Sequence, residues 1–378
     1  MRRVAARSAL HVPQDVRRVV ALPELAAQWR EDQRFAVLVH DEQDRARVEQ
    51  LSASGLANVA WVRSDALELG DVVVLRGAQQ AADVKFRRAD QHHTLFLTNR
   101  CNSRCLMCSQ PPTDQDDSWL VEQARDILRH MDHSPASIGI TGGEPTLLGQ
   151  HLRALLDELA QTHPSTAVEL LTNGRLLGSP DHEQALLRGL AARVRWLVPL
   201  YGHADFLHDF VVQSPGAFEE TIAGILALQS HGQPIQLRIV LIEPVLEVLA
   251  ELCGYVGRNL PFVSEVALMA CEPIGFALAN REQCEVDLLN WRETLEAATR
   301  TLQRHRVPFV FMNTPHCALP NALWPHARRS ISDWKNVYAD ACDGCGVRQR
   351  CSGLFAWHER GWKPSRVRPI NNDEEATT

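Results

Sequence analysis

The chain has 378 residues, and 39 Lys and Arg stand against 46 Asp and Glu, for a formal net charge of −7. This length exceeds that of one compact α/β barrel, so we expect a barrel with flanking modules. Because acidic residues slightly outnumber basic ones, the chain lacks the overall basic composition that is typical of a dedicated nucleic-acid-binding protein.

The first residues, M-R-R-V-A-A-R-S-A-L, lack the apolar core of a secretory signal. No run approaches the roughly eighteen apolar residues of a membrane-spanning helix. We therefore expect a cytoplasmic protein without membrane contact. An Arg-rich, acid-poor start also occurs in organellar presequences, but Pro13 and the immediate passage into ordinary domain sequence argue against one.

Residues 1–90 contain three short apolar runs separated by charged helical stretches. The runs are Phe35–Val39, Val59–Val62 and Val72–Leu75. Short strands between helical segments predict a small α/β module at the N-terminus. It carries no motif that indicates a role.

From residue 94 onward, apolar runs rich in β-branched residues alternate with amphipathic helical segments. The six runs are Thr94–Thr98, Ser137–Thr141, Ala167–Thr172, Arg195–Tyr201, Ile235–Ile242 and Val263–Met269. Strands that alternate with helices pair in parallel through right-handed crossovers. We therefore predict an α/β fold, a partial (β/α)6 TIM-like barrel over residues 91–280. Its site should lie at the carboxyl ends of the strands, beside an open lateral mouth.

After Met269 the alternation ends. A helix is predicted at Glu285–Arg304 and a short strand at Val307–Phe311, within an irregular cysteine-rich extension over residues 281–368. Residues 369–378 end in N-N-D-E-E-A-T-T, which we interpret as a disordered acidic tail.

Three cysteines follow the first barrel strand in the spacing C-x3-C-x2-C. We call Cys101, Cys105 and Cys108 the cysteine triad. Thiolates are the usual ligands of iron–sulfur clusters. Three ligands for four irons leave one iron open, and that iron can chelate a small molecule through an amine and a carboxylate. Accidental clustering and a three-cysteine zinc site are the alternatives, although structural zinc normally has a fourth protein ligand.

The second barrel strand runs into S-I-G-I-T-G-G-E-P-T. Gly142 and Gly143 lack side chains, so the backbone can approach a ligand closely, and Glu144 offers a carboxylate to an ammonium group. Together with the cysteine triad after a strand, this motif resembles the radical S-adenosylmethionine (radical SAM) superfamily. In that superfamily the G-G-E-P stretch binds the amino end of the cofactor.

The resemblance implies that the triad holds a [4Fe–4S] cluster, which binds S-adenosylmethionine and receives an electron from an external donor. One-electron reduction of the sulfonium would give methionine and a 5′-deoxyadenosyl radical, which takes a hydrogen atom from the substrate. The triad cysteines would therefore be the catalytic residues. The protein would orient the cofactor and exclude water and oxygen.

Four further residues at strand ends match cofactor positions of the superfamily. Asn173 lies in T-N-G, which is also a common turn, and Tyr201 lies in P-L-Y-G-H-A-D-F-L-H-D, which resembles S-x-D-G-x4-H-D of peptide-modifying members. Tyr201 departs from that pattern, because an acidic residue often stands at this position. Arg238 would meet the cofactor carboxylate or pair with a helix carboxylate. Met269 would contact adenine through its backbone or fill the core.

A second cysteine set lies near the C-terminus. We call Cys317, Cys342, Cys345 and Cys351 the auxiliary set. The last three form C-x2-C-x5-C and resemble the SPASM or twitch domains of peptide-modifying radical enzymes, which implies a second, auxiliary [4Fe–4S] cluster. A zinc knuckle explains the same spacing.

The fourth ligand of this second site is less defined by the sequence. His316 and Cys271 compete with Cys317 for that position. Single thiols on apolar segments are usually buried packing residues, which we predict for Cys253, Cys271 and Cys284.

The phrases N-S-R-C-L-M-C-S-Q-P-P and S-I-S-D-W-K-N-V-Y, with the closing C-x2-C-x5-C-S-G-L-F, resemble the His-Xaa-Ser system radical SAM maturases. The resemblance implies a post-translational maturase that acts on a small peptide or protein, with His-Xaa-Ser repeats in the substrate and a second radical SAM maturase as partner. A tRNA or small-metabolite substrate stays open, because many chemistries share the barrel. An iron–sulfur or zinc-binding sensor or interaction protein would explain the cysteines but not G-G-E-P-T or the barrel.

Overall fold

The computed structural model describes residues 2–8, 15–56, 58–191, 193–332, 334–359, 361–364 and 366–371. These residues form two seven-stranded sheets and a two-stranded one. Residues 372–378, which include most of the predicted acidic tail, lie outside this range. Among the described helices, none is both long and apolar enough to cross a membrane.

The first sheet lies within residues 2–86 and is mixed. Its strands are β1 (Arg2–Ala5), β2 (Arg7–Ser8), β3 (Val16–Ala21), β4 (Phe35–Leu38), β5 (Val59–Arg63), β6 (Val72–Arg76) and β7 (Ala81–Phe86), with helices α1 (Leu25–Gln28) and α2 (Glu42–Ala53). The strand order is β1-β7-β6-β3-β4-β5-β2. β1 pairs with β7 and β2 pairs with β5, both antiparallel. One N-terminal segment therefore forms both edges of this sheet.

The second sheet contains seven strands, and every neighbouring pair is parallel. They are β8 (Thr94–Phe96), β9 (Ser137–Thr141), β10 (Ala167–Leu171), β11 (Val194–Pro199), β12 (Ile235–Leu241), β13 (Glu265–Ala270) and β14 (Phe309–Met312). They follow one another in chain order across the sheet. The predicted α/β class is confirmed.

Helices connect these parallel strands. They are α3 (Trp119–His130), α4 (Gln150–Thr162), α5 (Pro180–His182), α6 (Asp205–Val212), α7 (Ala217–Ser230), α8 (Glu243–Leu246), α9 (Leu249–Asn259), α10 (Phe276–Ala279), α11 (Arg281–Cys284) and α12 (Arg292–Arg304). The predicted count of six strands is wrong by one, because α12 makes a further crossover and β14 pairs with β13. The sheet is open at β8 and β14, and its partial closure as a barrel stays a prediction.

Burial along the second sheet explains the alternating pattern of its strands. In β9 and β10 every second residue is fully buried, and these residues share one apolar cluster with the leucines of α4. A strand alternates its side chains between two faces, so one face packs against helices and the other stays partly accessible. The accessible face carries the polar residues discussed below.

The first sheet packs against α3, one of the helices that connect the strands of the second sheet. Val16 and Phe86 belong to the same apolar cluster as the residues of α3. The backbone N–H of Arg34 donates to Nε2 of His130 over 2.7 Å, and Gln33 Nε2 donates to the carbonyl oxygen of Arg129 over 2.6 Å. His130 is fully buried, which lowers its pKa. A neutral imidazole therefore accepts at this contact.

The C-terminal region has little regular structure. Strands β15 (Asn336–Val337) and β16 (Leu354–Phe355) form an antiparallel hairpin. Lys335 lies 5.1 Å from the ring centroids of both Trp334 and Trp357, and its Nζ is 3.1 Å from a carboxylate oxygen of Glu272. Since Glu272 follows β13, this ion pair joins the hairpin to the carboxyl end of the parallel sheet.

Candidate metal centre and cofactor site

The cysteine triad lies in the loop that follows β8, and its three thiols are partly buried. Burial, with a smaller contribution from the neighbouring triad thiols, raises the pKa of Cys101 to about 11 and of Cys105 to about 12. Three thiolates in one short loop need a compensating positive charge, which metal coordination supplies. The donor set therefore fits a cluster.

Two glycines after β9 hold this loop from one side. The N–H of Gly143 donates to the carbonyl oxygen of Thr98 over 2.7 Å, and the N–H of Glu144 donates to that of Arg100 over 2.8 Å. A Cβ on Gly143 would lie 2.1 Å from the Arg100 oxygen, and one on Gly142 would lie 2.6 Å from the Thr98 oxygen. These glycines thus make a close approach to the loop backbone, and their predicted approach to a ligand stays a prediction.

A second clamp comes from the segment after β13. Gly275 has φ +64°, and a Cβ there would lie 2.5 Å from the carbonyl oxygen of Cys108. The N–H of Phe276 donates to that oxygen over 2.9 Å, and Asn280 Nδ2 donates to the carbonyl oxygen of Leu106 over 2.9 Å. This clamp was not predicted from the sequence, in which a lone glycine before a short helix is the only signal for it.

Asp117 is a further residue that the sequence analysis missed. Its carboxylate is 3% exposed and accepts hydrogen bonds from Thr98 Oγ1 over 3.1 Å, from the backbone N–H of Asn99 and from Asn99 Nδ2 over 3.2 Å. A buried carboxylate needs such donors to compensate its lost hydration. Asp117 therefore stabilises the start of the triad loop.

Glu144, the predicted cofactor ligand, is fully buried. Its Oε1 accepts from the N–H and the hydroxyl of Thr146 and from the hydroxyl of Thr172, over 2.9, 2.6 and 2.6 Å. Its Oε2 accepts from the N–H of Asn173 over 2.6 Å. Burial raises the pKa of Glu144 and these donors oppose the rise. The carboxylate joins the ends of β9 and β10, and Oε2, with one donor, has the capacity left for the predicted ammonium contact.

Asn173 links the T-N-G turn to the triad loop. Its Nδ2 donates to Asn102 Oδ1 over 2.6 Å. Asn102 lies between the first two triad cysteines, so this amide contacts the loop itself. The cofactor-binding role predicted for Asn173 stays a prediction.

Tyr201 lies beside the triad at the end of β11. It is 6% exposed, its N–H donates to His208 Nδ1 over 3.2 Å, and the two rings stack with centroids 5.8 Å apart. Burial raises the pKa of Tyr201, and the charges of Cys105 and Cys108 add to the rise. Burial lowers the pKa of His208 to about 4. Both side chains are therefore neutral near pH 7.

Arg238 and Met269 lie on the accessible face of the sheet at different depths. Val240 pairs with Met269 near the carboxyl ends, whereas Arg238 pairs with Ala267, two residues deeper. Arg238 Nε donates to Gln236 Oε1 over 3.1 Å. Burial lowers the pKa of Arg238, and the charge of Glu169 opposes this. This guanidinium therefore has partners below the strand ends, and its predicted contact with the cofactor carboxylate stays a prediction.

The four thiols of the auxiliary set line one cavity that is open to solvent. Cys351 Sγ accepts from the backbone N–H of His316 over 3.5 Å and of Gly353 over 3.4 Å. Cys345 Sγ accepts from the N–H of Ile370 over 3.4 Å. Hydrogen bonds to sulfur stabilise thiolate ligands and tune iron–sulfur potentials, so the donor set fits a cluster.

The competitors for the fourth position are placed differently. His316 lines the same cavity as Cys317, and its buried Nδ1 has no hydrogen-bond partner. Cys271 lines a neighbouring cavity together with Cys284, and its thiol donates to the carbonyl oxygen of Glu272 over 3.7 Å. Over the residues that the structure describes, no group of three or more His, Cys, Asp or Glu side chains, the triad and the auxiliary set included, is arranged so that it could hold a metal ion. The fit of both sets to a cluster therefore rests on the chemistry of their thiols, and the ligand geometry stays a prediction.

The three remaining cysteines are buried, as predicted for packing residues. Cys253, Cys271 and Cys284 all belong to the large apolar cluster that contains the core of the second sheet and its helices. Burial raises the pKa of Cys253 to about 12, so this thiol stays protonated.

Residues 95–247 match the family model of the radical SAM superfamily. This span includes the triad, G-G-E-P, T-N-G, Tyr201 and Arg238. The chain therefore contains a radical SAM domain, and the superfamily prediction is confirmed for these residues.

Several curated proteins are similar to this chain. GTP 3',8-cyclase of Mycolicibacterium smegmatis is 26% identical over 69% of this chain and 71% of its own length. AdoMet-dependent heme synthase of Methanosarcina barkeri is 31% identical over 41% of this chain and 44% of its own length. GTP 3',8-cyclase of Peptoclostridium acidaminophilum is 29% identical over 39% and 46%. The chain thus spans less than half the length of the last two.

Solved structures are also similar. Native anSMEcpe with bound AdoMet and Cp18Cys peptide is 15% identical, with a TM-score of 0.44 over 57% of this chain and 62% of that one. A radical SAM methyltransferase from Sphaerobacter thermophilus is 16% identical, with a TM-score of 0.40 over 64% and 68%. TM-scores below about 0.5 carry no argument about substrate. The relatives do not confirm the His-Xaa-Ser subfamily or the SPASM/twitch assignment, which stay predictions.

Proposed function

We propose that this protein is a radical SAM enzyme that modifies a ribosomally made peptide or small protein. One observation carries the enzymatic part: the cysteine triad lies in the loop after β8, within the matched domain, and both strand-end glycines contact that loop. The carboxyl edge of a parallel sheet is where such folds place their active sites.

A [4Fe–4S] cluster with S-adenosylmethionine supplies one-electron cleavage of a carbon–sulfur bond and hydrogen abstraction from the substrate. The triad thiols would hold the cluster, and Glu144 Oε2 and Arg238 would orient the amino and carboxylate groups of the cofactor. Tyr201, after β11, and Met269, near the end of β13, would shield the cofactor from water. An external donor would provide the electron.

The sequence segments around both cysteine sets resemble those of the His-Xaa-Ser system maturases, and this resemblance supports a peptide substrate. The auxiliary set encloses its own cavity, and the ion pair between Lys335 and Glu272 links that region to the carboxyl edge of the sheet. A second [4Fe–4S] cluster in this cavity would lie on the substrate side of the molecule. The partners that we propose for this protein are a substrate with His-Xaa-Ser repeats and a second radical SAM maturase.

A small-molecule substrate is the second candidate, because the curated relatives carry the names GTP 3',8-cyclase and AdoMet-dependent heme synthase.

The test uses anaerobically reconstituted, chemically reduced protein with S-adenosylmethionine. We expect 5′-deoxyadenosine from the wild type and none from the triple alanine variant of the triad. In a second step, a His-Xaa-Ser-bearing polypeptide or GTP is added, with and without the second maturase, and product masses are compared. A changed peptide mass supports the maturase. A change in GTP alone contradicts it, and absence of 5′-deoxyadenosine under all conditions contradicts the enzyme class.

A further inference from the structure

We propose that Arg175 is a positioning residue for the radical SAM cluster: its guanidinium holds the segment between the first two triad cysteines, and its positive charge raises the reduction potential of the bound cluster. The inference rests on the proposed function, because it requires a cluster at the triad. It adds a residue from the T-N-G-R turn that the sequence analysis did not select.

The contacts of Arg175 reach the triad loop directly. Its Nη1 donates to the carbonyl oxygen of Asn102 and, over 3.0 Å, to Ser103 Oγ. Its backbone N–H donates to Asn173 Oδ1 over 3.1 Å, while Asn173 Nδ2 donates to Asn102 Oδ1 over 2.6 Å. Arg175 and Asn173 thus contact both the backbone and the side chain of Asn102, and a planar guanidinium orients two acceptors at once.

The far side of the guanidinium is anchored to α7. Arg175 Nε donates to a carboxylate oxygen of Glu220 over 2.6 Å. The Arg175 side chain is 10% exposed, whereas that of Glu220 is 50% exposed. Water therefore screens the carboxylate more than the guanidinium, and the positive charge acts on the less exposed, triad side.

The guanidinium lies next to the segment that joins Cys101 to Cys105, because its Nη1 contacts both Asn102 and Ser103. A positive charge at this place favours the reduced form of a bound cluster, because reduction adds one negative charge to the cluster. Removing the guanidinium should lower the reduction potential, and removing the opposing Glu220 carboxylate should raise it.

Arg153 provides a matched control for Arg175. Its Nη1 and Nη2 donate to the carbonyl oxygens of Arg188 and Gly189, both over 2.9 Å, and its Nε donates to Asp157 over 2.9 Å. It therefore combines backbone contacts with an ion pair, as Arg175 does, but it joins α4 to the segment before β11 rather than to the triad loop.

The experiment measures the reduction potential of reconstituted R175M, E220Q and R153M proteins by redox titration. The readout is the electron paramagnetic resonance signal that is absent from the triple alanine variant of the triad, so the auxiliary site does not contribute. We expect R175M to lower the ratio of reduced to oxidised cluster about tenfold at a fixed potential, or about 59 mV for one electron. E220Q should raise the ratio about threefold, and R153M should match the wild type.

Iron content and melting temperature are measured on the same samples. If R175M keeps its melting temperature but binds no cluster at the triad, the holding role is supported and E220Q tests the charge. If R175M does not fold, E220Q again decides. A wild-type potential in R175M, or a lowered potential in E220Q, overturns the proposal. If the reduction potentials of R175M and E220Q change as expected but the protein forms no 5′-deoxyadenosine, the role of Arg175 is supported and the proposed function is contradicted.

Discussion

The two cysteine sites of this protein are built in opposite ways. The triad comes from eight consecutive residues in the loop after β8, and neighbouring elements contact the backbone of this loop at Thr98, Arg100 and Cys108. The auxiliary set comes from a much longer stretch with little regular structure, and backbone N–H groups contact its sulfur atoms. The first site is thus positioned by the parallel sheet, whereas the second is positioned by local turns around a cavity.

This difference matters for how each site should respond to mutation. Loss of triad ligands should remove the chemistry and leave the sheet intact, because the sheet has its own apolar core. Loss of auxiliary ligands should affect the C-terminal region, whose order depends more on the bound group. Four predictions test this contrast.

The largest effect is expected for the triad. Changing Cys101, Cys105 and Cys108 to Ala together should abolish 5′-deoxyadenosine formation and remove about four irons per chain. The melting temperature should stay close to that of the metal-free wild type, since the partly buried thiols contribute little packing. Undiminished cofactor cleavage in this variant would refute the assignment of the triad.

The auxiliary set should carry a second cluster. Changing Cys342 and Cys345 to Ala should lower the iron content from about eight to about four per chain, while the signal of the triad cluster stays. C317A should have the same effect, and C271A, in the neighbouring cavity, should not. Zinc in anaerobically purified protein, or iron loss in C271A but not C317A, would contradict this assignment.

The third prediction concerns the clamp on the triad loop. In G143A the new Cβ would overlap the carbonyl oxygen of Arg100, at 2.1 Å, and the loop backbone must shift. We expect a loss of about 3 kcal/mol in the free energy of unfolding and weaker cluster binding. G254A in α9 is the control, because its Cβ meets only the mobile end of Arg258, and alanine favours a helix. Equal stability of both variants would contradict the clamp.

The smallest effect is expected for Glu144. E144Q should destabilise the protein by about 1–3 kcal/mol, because Oε1 or Oε2 is replaced by an N–H2 group that faces hydrogen-bond donors. D157N, whose carboxylate is 39% exposed, should cost less than about 1 kcal/mol. Chemical denaturation measures both values. Lower affinity for S-adenosylmethionine without any loss of stability would show that Glu144 acts as a ligand alone.

The chemistry of the triad was readable from sequence because its three ligands are neighbours in the chain. The same holds for the α/β class, since alternating strands and helices leave a local periodic pattern. The predicted strands Ala167–Thr172 and Ile235–Ile242 differ from β10 and β12 by one residue at their C-terminal ends. The extra strand β14 was not assigned to the sheet, because a single short apolar run does not reveal its pairing partner.

Only the tertiary structure decided the contacts that cross between elements. The sequence marked the G-G-E-P glycines as a ligand-binding feature and did not show that their missing side chains make room for the backbone at Thr98 and Arg100. It marked Glu144 as a ligand and did not show its four hydrogen-bond donors, which come from the segment after β10 as well as from its own turn. Pairing of this kind depends on which strands become neighbours, and no spacing within one segment records it. Spacing determines which groups are available for chemistry, whereas packing determines what each of them touches.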